Sequence, residues 1–101
     1  MANYWVTFRI ASDAGYDKRY GEFLQAMIKA RSSSWAEPTS FWLVSSTLGI
    51  DAFVAALSIP LDATKDLLVV RELAVDSSRY FGKVEHLAVL KEFLPNIKKA
   101  A

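Results

Sequence analysis

The sequence contains no cysteine, only one histidine and no long hydrophobic run. Without cysteine the chain has no disulfide framework, no thiolate zinc site and no cysteine nucleophile. A single histidine excludes a multi-histidine metal site within one chain. The apolar runs are shorter than the roughly 20 residues that a transmembrane helix needs, and no basic leader precedes an apolar stretch. We therefore expect a cytoplasmic protein with no membrane partner.

What the chain has instead is apolar side chains, which make up 52% of its 101 residues. That content is sufficient for one packed core, so residues 1–101 are expected to form a single domain. Twelve Lys and Arg nearly balance eleven Asp and Glu, for a net charge of +1. This balance excludes nucleic-acid binding through a strongly basic overall charge, but it allows a local basic patch.

Hydrophobic spacing predicts strands and helices in alternation. Alternating apolar residues indicate a half-buried strand near the N-terminus, and branched residues favour another over the second half of the chain. Apolar side chains at three- and four-residue spacing predict three helices, with Asp17 placed to cap the first. The predicted strands cover 3–10, a short stretch before a turn at Pro38, 41–46 and 67–75, and the predicted helices cover 17–31, 49–58 and 83–94.

This order of elements predicts an α+β fold, the ferredoxin-like β-α-β-β-α-β sandwich with an extra C-terminal helix. Both long helices then lie on one face of a four-stranded antiparallel sheet, and the other face is open. The first strand contributes Trp5, Thr7 and Arg9 to the open face. In the last strand, the set of residues that includes Arg71 is a plausible neighbour of Arg9. The alternating set is equally apolar, so the register stays open.

The predicted open face is too apolar to be bare in water, so another subunit, the third helix or a ligand covers it. Trp5, Val69 and Leu73 are the candidate residues of a homodimer interface, because Trp and Arg are enriched in such interfaces. Aromatic residues and arginines on an open sheet also bind bases in RNA-recognition domains. The signature of those domains is missing from "FWLVSS", so the interface is the favoured interpretation.

Several segments together resemble a known superfamily: "YWVTFRI", "LQAMIKA", "SFWLVSS", "DLLVVREL" and "RYFGKVEHLAVLKEFL". They are similar to the small ferredoxin-like proteins related to the second CRISPR adaptation protein, the Cas-two-like superfamily, which includes VapD-type ribonucleases. Short uncharacterised members are the most similar. The resemblance implies a homodimer, and in active members it implies an aspartate late in the first strand. One such carboxylate from each subunit would hold a divalent cation that activates water.

In this sequence Arg9 stands where that aspartate is expected, and an arginine cannot coordinate a cation. Asp13 follows in a predicted loop and is interpreted as a turn residue. His86 has no partner at a catalytic spacing and is interpreted as a surface residue. We therefore assign no catalytic residue, no metal ligand and no cofactor. Arg9 and Arg71, with Lys18 and Arg19 of the first helix, are the candidates for contacts with nucleic-acid phosphates.

The sequence thus favours a catalytically degenerate, homodimeric Cas-two-like protein that binds nucleic acid, either RNA or DNA, or a protein partner. Two alternatives stay open at this point. One is a metal-dependent ribonuclease with a rearranged site, which would need a divalent cation such as Mg²⁺. The other is an interaction module of the toxin–antitoxin type.

Overall fold

A computed structural model of the protein describes residues 1–73, 78–80 and 82–100. It confirms the α+β class: a four-stranded antiparallel sheet runs in the order β2-β3-β1-β4, and a separate pair, β5-β6, is parallel. The elements in chain order are β1 Ala2–Arg9, α1 Tyr16–Ala30, β2 Ser33–Trp35, β3 Phe41–Ser46, α2 Ile50–Ser58, β4 Leu67–Glu72, β5 Arg79–Tyr80, α3 Leu87–Phe93 and β6 Lys98–Lys99.

The ends of several elements differ from the predicted ones. Helix α1 begins one residue before Asp17, after Gly15, so Asp17 lies in the first turn and does not cap the helix. Helix α3 begins only at Leu87, because the residues before it are held by contacts with another loop, described below. Strand β4 ends at Glu72, and the predicted strand residues 74 and 75 lie outside the described residues. The short pair β5-β6 was not predicted.

Both long helices pack against the same face of the sheet, as predicted. Alternation along β1 directs Tyr4, Val6 and Phe8 into the core cluster on this face. There the Phe8 ring lies 4.6 Å from the ring of Phe23 in α1, and Tyr4 stacks on Phe53 of α2 at 4.7 Å. The helices therefore stay in place by burying aromatic side chains against one strand face.

The pairing of β4 with β1 decides the register that the sequence left open. Trp5 is opposite Arg71, and Arg9 is opposite Leu67. Because opposite residues of antiparallel strands lie on one face, the Arg71 set shares the second face with Arg9, as the plausible pairing predicted. Arg9 and Arg71 are nevertheless about 13 Å apart along the sheet, at a rise of roughly 3.3 Å per residue. They share a face without being in contact.

The C-terminal segment of the chain covers much of this second face. Leu90 and Phe93 of α3, together with Ile97, form a second core cluster with Leu43 of β3. Four partly buried residues of the sheet and its continuation pack against that cluster: Trp5, Trp35, Phe41 and Leu73. The sequence left three groups that could cover this face: another subunit, the third helix or a ligand. In the structure the third helix covers this part of the sheet.

Candidate functional site

Arg9 is the last residue of β1 and its side chain is exposed. The strand alternation that buries Phe8 and Ile10 under the long helices turns Arg9 to the second face. Its neighbour across the β1–β4 pair is Leu67, which is 51% exposed. The end of the first strand thus presents a cation beside an apolar residue.

Asp66 is the last residue of the loop before β4, and its side chain is only 1% exposed. One oxygen accepts from the backbone N–H of Ala11 at 2.9 Å, and the other accepts from the backbone N–H of Asp62 at 2.8 Å. The Arg19 Nε donates to it at 2.9 Å. Burial alone would raise the pKa of Asp66, but these hydrogen bonds stabilise the charged form more and the pKa is lowered.

Asp13 joins the same network from the loop after β1. It accepts from the backbone N–H of Gly15, as a turn aspartate does, and from the guanidinium of Arg19 at 3.1 Å. The ammonium of Lys65 lies 3.2 Å from its second oxygen. These bonds, first of all the one from Gly15, lower the pKa of Asp13. Both carboxylates nearest to the end of β1 are therefore neutralised by cations and occupied by hydrogen bonds.

The hydrogen bonds and ion pairs of Asp13 and Asp66 also affect whether these carboxylates can bind a metal ion. A hard cation such as Mg²⁺ needs carboxylate oxygens that are free to coordinate it, and those of Asp66 are directed at N–H donors. Within residues 1–73, 78–80 and 82–100, no group of three or more His, Asp and Glu side chains is arranged to hold a metal ion.

The four sequence-predicted cations lie in different surroundings. Arg9 and Arg71 are exposed on the second face. Arg19 is only 14% exposed and is engaged by Asp13 and Asp66, so it holds the loops together. Lys18 is exposed on α1, which packs on the opposite face of the sheet. The structure brings Arg9 and Arg71 to a common face, but it does not bring the two helix residues to them.

The three predicted interface residues also lie in different surroundings. Trp5 and Leu73 pack against the C-terminal segment of their own chain. Val69 is 42% exposed, and with Leu67 it forms an apolar strip on β4, which is an edge strand of the sheet. Of the three predicted interface residues, only Val69 on the edge strand therefore offers exposed apolar surface on this face.

Glu37, which the sequence did not single out, holds the start of the C-terminal segment. Its carboxylate accepts from the backbone N–H groups of Glu85 and His86 at 2.9 and 3.0 Å, and from the indole N–H of Trp35 at 2.8 Å. The bond from Glu85 contributes most to the lowered pKa of Glu37. The His86 side chain itself is exposed, in line with its interpretation as a surface residue.

No family model matches the chain, and no curated protein matches it. Among the described residues, none of the helices has the length and apolar character needed to cross a bilayer.

Proposed function

We propose that the protein is a non-cleaving, homodimeric relative of the Cas-two-like nucleases, with a ferredoxin-like fold, that binds single-stranded nucleic acid. A cytoplasmic location is part of this proposal. The observation that carries it is Arg9: an exposed cation occupies the end of the first strand, where cleavage in active members needs a carboxylate.

The acidic groups of the loops near the end of β1 support the absence of cleavage. Asp13 is the nearest carboxylate in sequence, and it is already bound by Arg19 and Lys65. Asp66 uses both oxygens as acceptors. Coordination of a cation by either group would require breaking these bonds. A ribonuclease with a rearranged site is therefore the less favoured alternative.

The distribution of cations supports binding. Arg9 and Arg71 are exposed on one face, and Thr7 and Val69 separate them along the sheet. Arginine contacts phosphate in a bidentate manner and stacks on bases, so two arginines about 13 Å apart can contact separate nucleotides of one extended strand. Such contacts attach a nucleic acid without reading its sequence.

We expect the wild-type protein to bind labelled single-stranded RNA or DNA, and to leave both intact in Mg²⁺ or Mn²⁺. Fluorescence anisotropy should show affinity falling as salt rises, because phosphate contacts release counterions. The double variant Arg9→Gln/Arg71→Gln should lose two phosphate contacts to a single strand. The slope of the logarithm of the binding constant against the logarithm of the salt concentration should then be less steep by about 1.4.

The matched control is Lys29→Gln/Arg31→Gln, which removes the same charge from exposed positions at the end of α1. An equal loss of affinity in the two double variants would show that binding depends only on the net charge of the protein. Absence of binding by the wild type would refute the proposal. Metal-dependent cleavage that Asp13→Ala abolishes would establish the ribonuclease alternative.

The homodimer is proposed through β4. Among the residues that the structure describes, this strand pairs with β1 on one side and with no strand on the other, so its outer N–H and C=O groups are available to a second strand. Its first four residues, 67–70, contain no charged residue and no Pro, the residues that commonly protect an edge. Two copies of β4 can pair antiparallel about a two-fold axis, which makes the patch self-complementary.

Sedimentation velocity at micromolar concentration should therefore show a dimer, and Val69→Asp should convert it to a monomer. The matched control is Ile59→Asp, which places the same charge at an apolar residue that is 84% exposed at the end of α2. That variant should sediment as the wild type does. A wild-type monomer, or a Val69→Asp dimer, would exclude pairing through this edge.

A further inference from the structure

The parallel pair β5-β6 gathers cations that are distant in the sequence. Arg79 is in register with Lys98, and Tyr80 is in register with Lys99. The backbone N–H of Lys98 donates to the Ser78 carbonyl at 3.3 Å. The ladder thus holds two cationic side chains on neighbouring strands, at the strand spacing of about 4.8 Å.

Strand alternation turns this pair of cations outward. Tyr80 and Ile97 pack in the second core cluster, so Arg79 and Lys98, their neighbours in sequence, lie on the other side of the ladder. Both side chains are exposed. The apolar side anchors the ladder to the sheet, and the cationic side faces water.

The C-terminal part of the sequence carries an excess of positive charge. From residue 78 onward the chain carries five of its twelve Lys and Arg, but only two of its eleven Asp and Glu. The ion pairs among the described residues all involve Arg19 or Lys65 and include none of these cations. Like charges opposite each other on paired strands destabilise the pairing, and a bound anion would reverse that effect.

We infer that Arg79 and Lys98 form a phosphate-binding surface for a strand of nucleic acid. The inference rests on the proposed function and adds a binding site to it. A polymer of phosphates supplies several anions at once to adjacent cations, and long Lys and Arg side chains reach phosphates without base recognition. The surface belongs to the C-terminal segment and is separate in sequence from Arg9 and Arg71.

The test compares Arg79→Gln/Lys98→Gln with Lys29→Gln/Arg31→Gln, since each double variant removes one Lys and one Arg. Anisotropy titrations with single-stranded RNA and DNA are run from 50 to 200 mM salt. We expect the first variant to bind at least about tenfold more weakly than the wild type at low salt. The slope of the logarithm of its binding constant against the logarithm of the salt concentration should be less steep by about 1.4. The control keeps wild-type affinity within about twofold.

Thermal unfolding separates binding from folding. Removing two like charges relieves repulsion, so Arg79→Gln/Lys98→Gln should unfold at the wild-type temperature or higher. A lower unfolding temperature would contradict the like-charge argument. In that case Lys98→Glu with Arg79 retained tests binding, because the new ion pair with Arg79 keeps the ladder and removes the anion site.

Each result discriminates between the two proposals. Binding by the wild type that Arg9→Gln/Arg71→Gln weakens, but Arg79→Gln/Lys98→Gln does not, overturns this inference and leaves the proposed function in place. No binding by the wild type overturns both. Binding of phosphatidylserine vesicles through Arg79 and Lys98, without binding of RNA or DNA, would assign the surface to a lipid headgroup and also overturn the inference.

Discussion

Asp66→Asn is expected to lower the free energy of unfolding by about 2–3 kcal/mol, because it leaves buried donors without an acceptor. The Asn amide nitrogen would face either the Ala11 or the Asp62 backbone N–H, both of which donate to the carboxylate now. The guanidinium of Arg19 would also lose its most buried counter-ion. Urea unfolding at pH 7 measures the change, with Glu22→Gln on the exposed side of α1 as the control.

The effect of Asp66→Asn should depend on pH in one direction. The folded-state pKa of Asp66 is lowered, so its contribution is complete above the unfolded-state pKa of about 3.9. It is lost as the pH falls below that value and through the lower folded-state pKa. The difference between wild type and variant should therefore shrink from pH 5 to pH 2. A difference that stays constant would show that the carboxylate charge is not the cause.

Phe53→Ala should cost more, about 3–5 kcal/mol, because it removes a large buried ring and leaves a cavity. Phe53 is fully buried between α2 and the sheet, and its ring stacks on that of Tyr4. At about 4–8 °C per kcal/mol for a domain of this size, the melting temperature falls by at least about 12 °C. Calorimetry or thermal circular dichroism measures this shift.

Ile59→Ala is the control for Phe53→Ala. Ile59 follows α2 directly and is exposed, so shortening its side chain should change stability by no more than about 0.5 kcal/mol. A comparable loss in both variants would mean that α2 is not held by its packed face.

The elements nearest to the N-terminus could be predicted because their patterns are local. The alternation of Tyr4, Val6 and Phe8 allows only one buried face for β1, and the spacing of Phe23 and Met27 allows only one for α1. Together these faces determined that both long helices lie on one side of the sheet. Arg9 at the end of β1, and its exposure, follow from the same alternation.

The tertiary structure decided those features that depend on which segments of the chain pair or pack with each other. Residues 67–70 are apolar on both sides, so the pattern could not select the face of Val69; pairing with β1 did. Arg19 looked like a free surface cation, and only the approach of Asp66, 47 residues later in the sequence, made it structural. The cationic pair of Arg79 and Lys98 arises in the same way. Contacts between segments distant in the chain have no local periodicity, so they become visible only when the chain is folded.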